Sequence, residues 1–170
     1  MAFTPRRFAD ERGYFAETYS ARVLAQHGVT TAFVQDNQSV SRRGVLRGLH
    51  FQRPPHAQAK LVRVVAGRAL DVVVDIRRSS PTYGQQYSLV LDAAIGNALF
   101  IPEGFAHGFL ALEEDTVFFY KCSDYYHPET EGALRWDDPT LGIDWGHEVA
   151  PLVSDKDAVA PLFAGFEPAF

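Results

Sequence analysis

The sequence predicts an all-β protein, a sandwich or barrel with a few short helices at its periphery. From residue 31 onward, short apolar segments recur at roughly 8–12-residue spacing, and turn chemistry rich in Gly, Pro, Ser and Asp separates them. Few stretches could supply the crossover helices that a parallel α/β sheet requires.

Strands are expected at 32–35, 45–51, 61–65, 70–76, 87–91, 98–101, 108–112 and 117–120. Upstream, residues 1–18 read as extended, with Phe8, Tyr14 and Phe15 around a charged turn at 9–13. Residues 19–28 form the one convincing early helix. Ser20 is a suitable N-cap, Val23 and Leu24 supply an apolar side, and Gly28 stops it. It is so short that packing rather than propensity must hold it. The tail from residue 130 is rich in Trp, Asp, Pro and Gly, with a short helix expected near 155–162. The whole reads as one domain: an arm and helix over 1–30, a barrel core over 31–125 and an extension over 126–170.

The 170 residues suffice to bury a core without staples. A net charge of −5 argues against a general nucleic-acid binder, which needs a basic field. The single cysteine, Cys122, excludes a disulfide framework and zinc ribbons, and it reads as a small filler. No apolar run reaches the length of a membrane span. The first fifteen residues carry charge but no apolar signal core, so the cytoplasm is expected.

Residues 44–60 concentrate the chemistry. Arg47, His50, Gln52, Arg53, His56, Gln58 and Lys60 alternate with Leu46, Leu49 and Phe51. A core strand tolerates so many polar groups only if they face a cavity or ligand. The stretch reads either as a solvated edge strand running into a Pro-Pro loop or as a strand that presents His50 to a pocket with a loop that returns Lys60 beside it, and the rest of the sequence decides between them.

Residues 96–107, a strand, a Pro/Gly turn and a strand opening with His107, resemble the second motif of the cupins, which are double-stranded β-helix (jelly-roll) barrels. In metal-binding cupins the first motif supplies two His and then a Glu. Here the matching places hold His50, Gln52 and Lys60. An ammonium offers no ligand and repels a cation. The expectation is thus a cupin barrel without its metal, whose ionisable groups do proton chemistry. His50 has an intrinsic pKa suited to a general base. Lys60 can stabilise an enolate oxygen. Tyr120 shares a strand face with Phe118 and can point into the same barrel.

Many ordered runs, among them 10–17, 33–37, 45–52, 57–63, 71–77, 101–109, 126–132, 136–139 and 154–157, resemble the dTDP-4-dehydrorhamnose 3,5-epimerases, with coverage from about residue 8 to 163. The resemblance implies a homodimeric isomerase of a dTDP-linked 4-keto-6-deoxy sugar, acting through an enolate without cofactor or metal. His50 matches the base, Asp157 its carboxylate partner, Tyr120 the proton donor and Lys60 the cation near the enolate. Arg12, Glu17, Gln35, Asn37, Arg47, His107, Glu131 and Lys156 match positions that contact the nucleotide sugar or shape its site. Strict alternation puts Arg47 and His50 on opposite faces, so a bulge or a subunit boundary is needed to reconcile them. Family members carry a longer lead-in with a strand exchanged between subunits. Only nine residues precede Asp10 here, so that strand is expected to be short or absent. Rival readings are an epimerase acting at C3 or C5 alone, a non-catalytic sugar-nucleotide-binding cupin, and a metal-dependent cupin. The last is disfavoured by Gln52 and Lys60, and the binder by the presence of base and acid together.

Overall fold

The computed structural model describes residues 1–146, 150–167 and 170. Twelve strands and two short α-helices are assigned among them: β1 (Ala2–Phe3), β2 (Arg7–Asp10), β3 (Gly13–Ala16), α1 (Ala21–Gln26), β4 (Gln35–Ser41), β5 (Leu46–Gln52), β6 (Lys60–Ala66), β7 (Arg68–Asp75), β8 (Gln86–Asp92), β9 (Ala98–Ile101), β10 (Phe105–Ala111), β11 (Thr116–Cys122), β12 (Glu131–Ala133) and α2 (Asp155–Ala158). One antiparallel sheet has the order β1-β9-β6-β11-β4, the other β12-β5-β10-β7-β8, and β2-β3 form a separate hairpin. The all-β jelly-roll expectation holds. The arm contributes β1 to one sheet and the tail contributes β12 to the other. β1 pairs with β9 of the same chain.

Period-two alternation divides the side chains into three layers. Between the sheets lie Val62 and Val64 of β6, Val73 of β7, Leu99 of β9, Phe109 of β10 and Phe118 of β11. The opposite side of β5, β7 and β10 presents Leu46, Leu49, Val72, Val74 and Leu110 to a second cluster, closed by Leu134, Leu141 and Trp145 from the tail. On the outside of the other sheet, Leu24 of α1 packs with Val29 and Leu61. Ser20 caps α1 by accepting from the Val23 N–H. Asp75 ends β7 by accepting two bonds from the Arg77 guanidinium, at 2.9 and 2.6 Å, and one each from Ser80 and Thr82 at 2.6 Å. Burial opposes the charge on Asp75, yet these donors hold its carboxyl well below the usual range.

One strand was misjudged from sequence. The expected strand at 32–35 overlaps β4 at Gln35 alone, and β4 continues to Ser41. Its alternating side chains, Gln35, Asn37, Ser39 and Ser41, are the less exposed set and are all polar, so no apolar period marks it. The reason is that β4 sits at a sheet edge and faces a polar cavity rather than the core. β12 also carries no signal, being three residues paired to β5 at Glu131↔Gln52 and Ala133↔His50.

Of the two ways to reconcile Arg47 with His50, a bulge in β5 is present. His107↔His50 and Phe109↔Arg47 are paired, so two residues along β10 oppose three along β5. Leu49 faces the outer cluster, while Arg47 and His50 both line the inner cavity. Two glycines permit it. A Cβ at Gly48 would lie 2.4 Å from the Gly108 Cα, and one at Gly108 would lie 2.8 Å from the Arg47 carbonyl oxygen. Gly48 also has φ +132°, which side chains rarely adopt. Gly48→Ala is expected to cost about 1–3 kcal/mol through backbone strain alone. Denaturant unfolding of the variant at neutral pH checks this, and wild-type stability would show that β5 absorbs the methyl without moving.

Candidate active site

The space between the sheets is apolar at one end and polar at the other. The polar end is a cavity of about 620 Å³, lined by Arg47, His50, Lys60, His107, Tyr120, Lys156 and Asp157 among others. His50, Lys60 and Tyr120 also line an adjoining cavity of about 340 Å³, whose far wall holds Gln35, Asn37, Tyr126 and Glu131. These three side chains therefore stand where the two spaces meet. His50 comes from one sheet, whereas Lys60 and Tyr120 come from the other.

Each cavity histidine has its own aspartate. His50 Nε2 lies 2.6 Å from Asp157 Oδ1, and the Gly48 N–H donates to Asp157 Oδ2 at 3.4 Å. Asp157 is presented by α2, whose first turn is fixed by Ser154 Oγ accepting from the Asp157 N–H at 3.2 Å. Burial pushes the Asp157 carboxyl up, but hydrogen bonding to His50, its charge and the Gly48 and Ser154 contacts bring it below its ordinary value. His107 Nε2 lies 2.8 Å from Asp71 Oδ2, with both residues buried. Burial lowers the His107 pKa, opposed by Asp71 and reinforced by Lys60 and His50, so the ring is neutral near pH 7.

Lys60 is also depressed, chiefly by burial, with Cys122, Asp71 and Glu131 opposing. The Tyr120 phenol is raised by burial and by Cys122. The cation that counters the rise at Tyr120 is Arg47, not Lys60. Arg47 itself donates to Ser41 Oγ at 3.2 Å. At the rim, Glu131 Oε2 pairs with Lys156 Nζ at 2.5 Å and accepts from the Tyr126 hydroxyl at 3.0 Å. Gln35 Nε2 donates to Asn37 Oδ1 at 3.1 Å, and Asn37 Nδ2 donates to Cys122 Sγ at 3.6 Å.

Two expected contacts lie elsewhere. Arg12 sits on the turn of the β2-β3 hairpin, exposed and paired with Asp10 at 2.6 Å. Glu17 lines a separate groove between the arm and α1. Neither lines the two cavities; the hairpin pairs with neither sheet of its own chain and is tied by Arg7 to the carbonyls of Ala93 and Ala94 after β8. Three residues were not anticipated as parts of the site. Asp71 could have been flagged as a carboxylate inside the apolar run 69–74. Tyr126 opens the matched run 126–132 but was given no role of its own. Gln52, read as a lost metal ligand, is buried and donates to the carbonyls of His56 at 2.7 Å and Tyr125 at 3.1 Å, while accepting from the His127 N–H at 2.8 Å.

Comparison with known proteins gives a consistent result. The family described as dTDP-4-dehydrorhamnose 3,5-epimerase matches residues 1–165. A dTDP-4-dehydrorhamnose 3,5-epimerase of Salmonella typhimurium is 50% identical over 163 residues, covering 95% of this chain and 89% of its own. The dTDP-6-deoxy-D-glucose-3,5-epimerase of Legionella pneumophila, solved in complex with dTDP-4-keto-L-rhamnose, is 46% identical with a TM-score of 0.94, covering 98% of this chain and 88% of that one. A 3′-monoepimerase of Streptomyces bikiniensis, in complex with dTDP-quinovose, is 38% identical with a TM-score of 0.90, covering 96% of this chain and 83% of that one.

The depressed Asp157 pKa makes a statement about stability. Its contribution is present above the ordinary carboxylate value of about 3.9 and is lost as pH falls through the lower folded value. Asp157→Asn is expected to lose about 1–3 kcal/mol at pH 7, as when a buried hydrogen-bond partner is removed. The gap to wild type should narrow in acid. Urea unfolding of both proteins at pH 7 and pH 3 checks this, and a gap that widens in acid would reverse the assigned sign.

Proposed function

This chain belongs to the dTDP-4-dehydrorhamnose 3,5-epimerase family, and we propose that it converts dTDP-4-dehydro-6-deoxyglucose to dTDP-4-dehydrorhamnose, inverting C3 and C5 without cofactor or metal. The observation that carries this reading is the placement of His50 and Tyr120 on opposite sheets across one cavity. Both carbons are α to the C4 ketone, so removal of either proton gives an enolate. Inversion requires a base on one face of the sugar ring and an acid on the other.

In this mechanism His50 removes the proton, with Asp157 orienting the imidazole and stabilising its cation. The Lys60 ammonium meets the charge that develops on the enolate oxygen. Tyr120 returns a proton from the far face, and its raised pKa keeps the phenol protonated through neutral pH. Arg47 and Lys156 supply positive charge for the pyrophosphate. Gln35, Asn37 and Glu131 contact the nucleotide sugar from the adjoining cavity, and His107, held by Asp71, contacts the sugar. A divalent ion would find a poor site here. The Gln52 amide already holds two loops, and Lys60 offers no ligand while charged and repels a cation. With a nucleotide sugar as substrate, the same reading puts the enzyme in the cytoplasm. Inversion at C3 alone is the second reading, favoured by the similarity to the Streptomyces monoepimerase.

The enzyme acts as a homodimer in this proposal, and Arg12 and Glu17 reach the site of the partner subunit. The hairpin supports this, because Phe8, Tyr14 and Phe15 are 52%, 59% and 69% exposed on an element that packs into neither core.

NMR in deuterium oxide with dTDP-4-keto-6-deoxyglucose, in excess chelator, tests the chemistry. Wild type should incorporate deuterium at C3 and C5 and give the doubly inverted product. Incorporation at C3 alone would select the second reading, and dependence on a restored divalent ion would sink the mechanism. His50→Asn should lose at least about a hundredfold in turnover while retaining nucleotide binding. Tyr120→Phe should still exchange deuterium yet yield little inverted product, whereas equal losses of exchange and inversion would make Tyr120 a packing residue. For the dimer, mixing inactive His50→Asn with a weakened Arg12→Ala variant should restore activity through hybrid sites. No restoration, or an active monomer by light scattering, would refute delivery of Arg12 in trans.

A further inference from the structure

At the surface beyond Gln52, the segments that follow β5 and β11 bring together groups that the proposed reaction does not use. The imidazoles of His56 and His127 stack face to face, with centroids 3.5 Å apart and planes 10° from parallel. Asp124 Oδ2 lies 3.0 Å from His56 Nδ1, and Glu129 Oε1 lies 3.0 Å from His127 Nδ1. Ligand atoms of His56, His127 and Glu129 all lie within 4.8 Å of one another.

We propose that His56, His127 and Glu129, with Asp124 alongside, form a surface site for one divalent transition-metal ion, Zn²⁺ being the best match. Donor chemistry supports this first, since two imidazole nitrogens and a carboxylate are the ligand types zinc takes in protein sites. Metrics support it next. Bonds of about 2.0–2.2 Å to a tetrahedral ion put neighbouring ligand atoms about 3.4 Å apart. The His127–Glu129 separation of 3.0 Å is already on that scale, and the ligand atoms of all three residues lie within 4.8 Å of one another. The ion takes the place of the proton that an imidazole Nδ1 shares with its carboxylate.

The backbone carries the third argument. Gln52 is buried, and its one amide accepts from the His127 N–H at 2.8 Å while donating to the His56 carbonyl at 2.7 Å. An interior side chain thus fixes the two histidines to each other from beneath. Their side chains remain 34% and 29% exposed, which leaves room for the rings to splay edge-on and for an ion to enter from solvent. The site is distinct from the cavity that holds His50 and Lys60, so its occupancy and the metal independence of the reaction are separate matters.

Calorimetric titration of ZnCl₂ into untagged, chelator-treated protein tests the proposal. The expected result is one ion per chain, with an increased thermal midpoint in its presence. His56→Ala and His127→Ala should each weaken binding by at least about tenfold, in line with losses seen when even the supporting shell of a metal site is disturbed. Glu129→Gln, at a side chain that is 65% exposed, should weaken binding without perturbing the fold. Co²⁺ should give tetrahedral visible bands in wild type that vanish in the His56→Ala/His127→Ala double variant. Circular dichroism in chelator confirms that each variant is folded. Absence of saturable binding below millimolar Zn²⁺ would overturn the proposal, as would undiminished binding in the folded double variant.

Discussion

Along β5, Arg47 and His50 must reach the same cavity although strict alternation would send them to opposite sides. The bulge at Gly48 resolves this by inserting one residue against β10. It leaves Leu46, Leu49 and Phe51 on the outer cluster and turns Arg47, His50 and Gln52 inward. The close backbone approach of Gly48 to Gly108 is what allows the extra residue to fit between well-packed layers. The same region supplies the Gly48 N–H to Asp157, so the backbone that creates the bulge also helps to hold the partner of His50.

With β5 arranged in this way, the inter-sheet space separates into two regimes. At one end Val62, Val73, Leu99, Phe109 and Phe118 exclude water in the ordinary manner of a sandwich core. At the other, imidazoles are buried against carboxylates. His50 with Asp157 and His107 with Asp71 are two carboxylate–imidazole couples of similar geometry but different exposure. His50 is one-third exposed to the cavity, whereas His107 is enclosed. Exposure leaves the first imidazole open to the cavity, and enclosure holds the second ring against Asp71, where burial lowers its pKa. Lys60 stands between these couples, its charge opposed by burial and supported by Asp71 and Glu131. At the places where the sequence resembles the first cupin motif, Gln52 is a hydrogen-bonding amide that ties two loops together and Lys60 is buried in the cavity wall.

The core strands were legible because their inward and outward residues are both apolar, or alternate cleanly. Residues 98–101 were delimited correctly, and β5 to β8, β10 and β11 were found to within a few residues. β4 was misplaced because every side chain it turns to the cavity is polar, which in sequence looks like a loop. Cavity-lining strands defeat a hydrophobic period for the same reason that they are useful. Asp71 was the opposite case, since a carboxylate embedded among valines and leucines is costly without a partner. The partner, His107, lies 36 residues away.

The sequence by itself determined the fold class, the family resemblance and the inventory of ionisable groups, because these depend on local composition, turn chemistry and ordered motifs. It also required either an irregular β5 or a site at a subunit boundary, since two residues three apart cannot share a face of a regular strand. Only the tertiary structure decided which groups meet. The His50–Asp157 pair spans 107 residues, and the His56–His127 stack is likewise a product of chain return. It also decided that Arg12 and Glu17 stand away from the cavities of their own chain, and that Arg47 rather than Lys60 counters the rise at Tyr120. Such facts depend on distance and burial, and both arise only when strands from remote parts of the chain are brought into register.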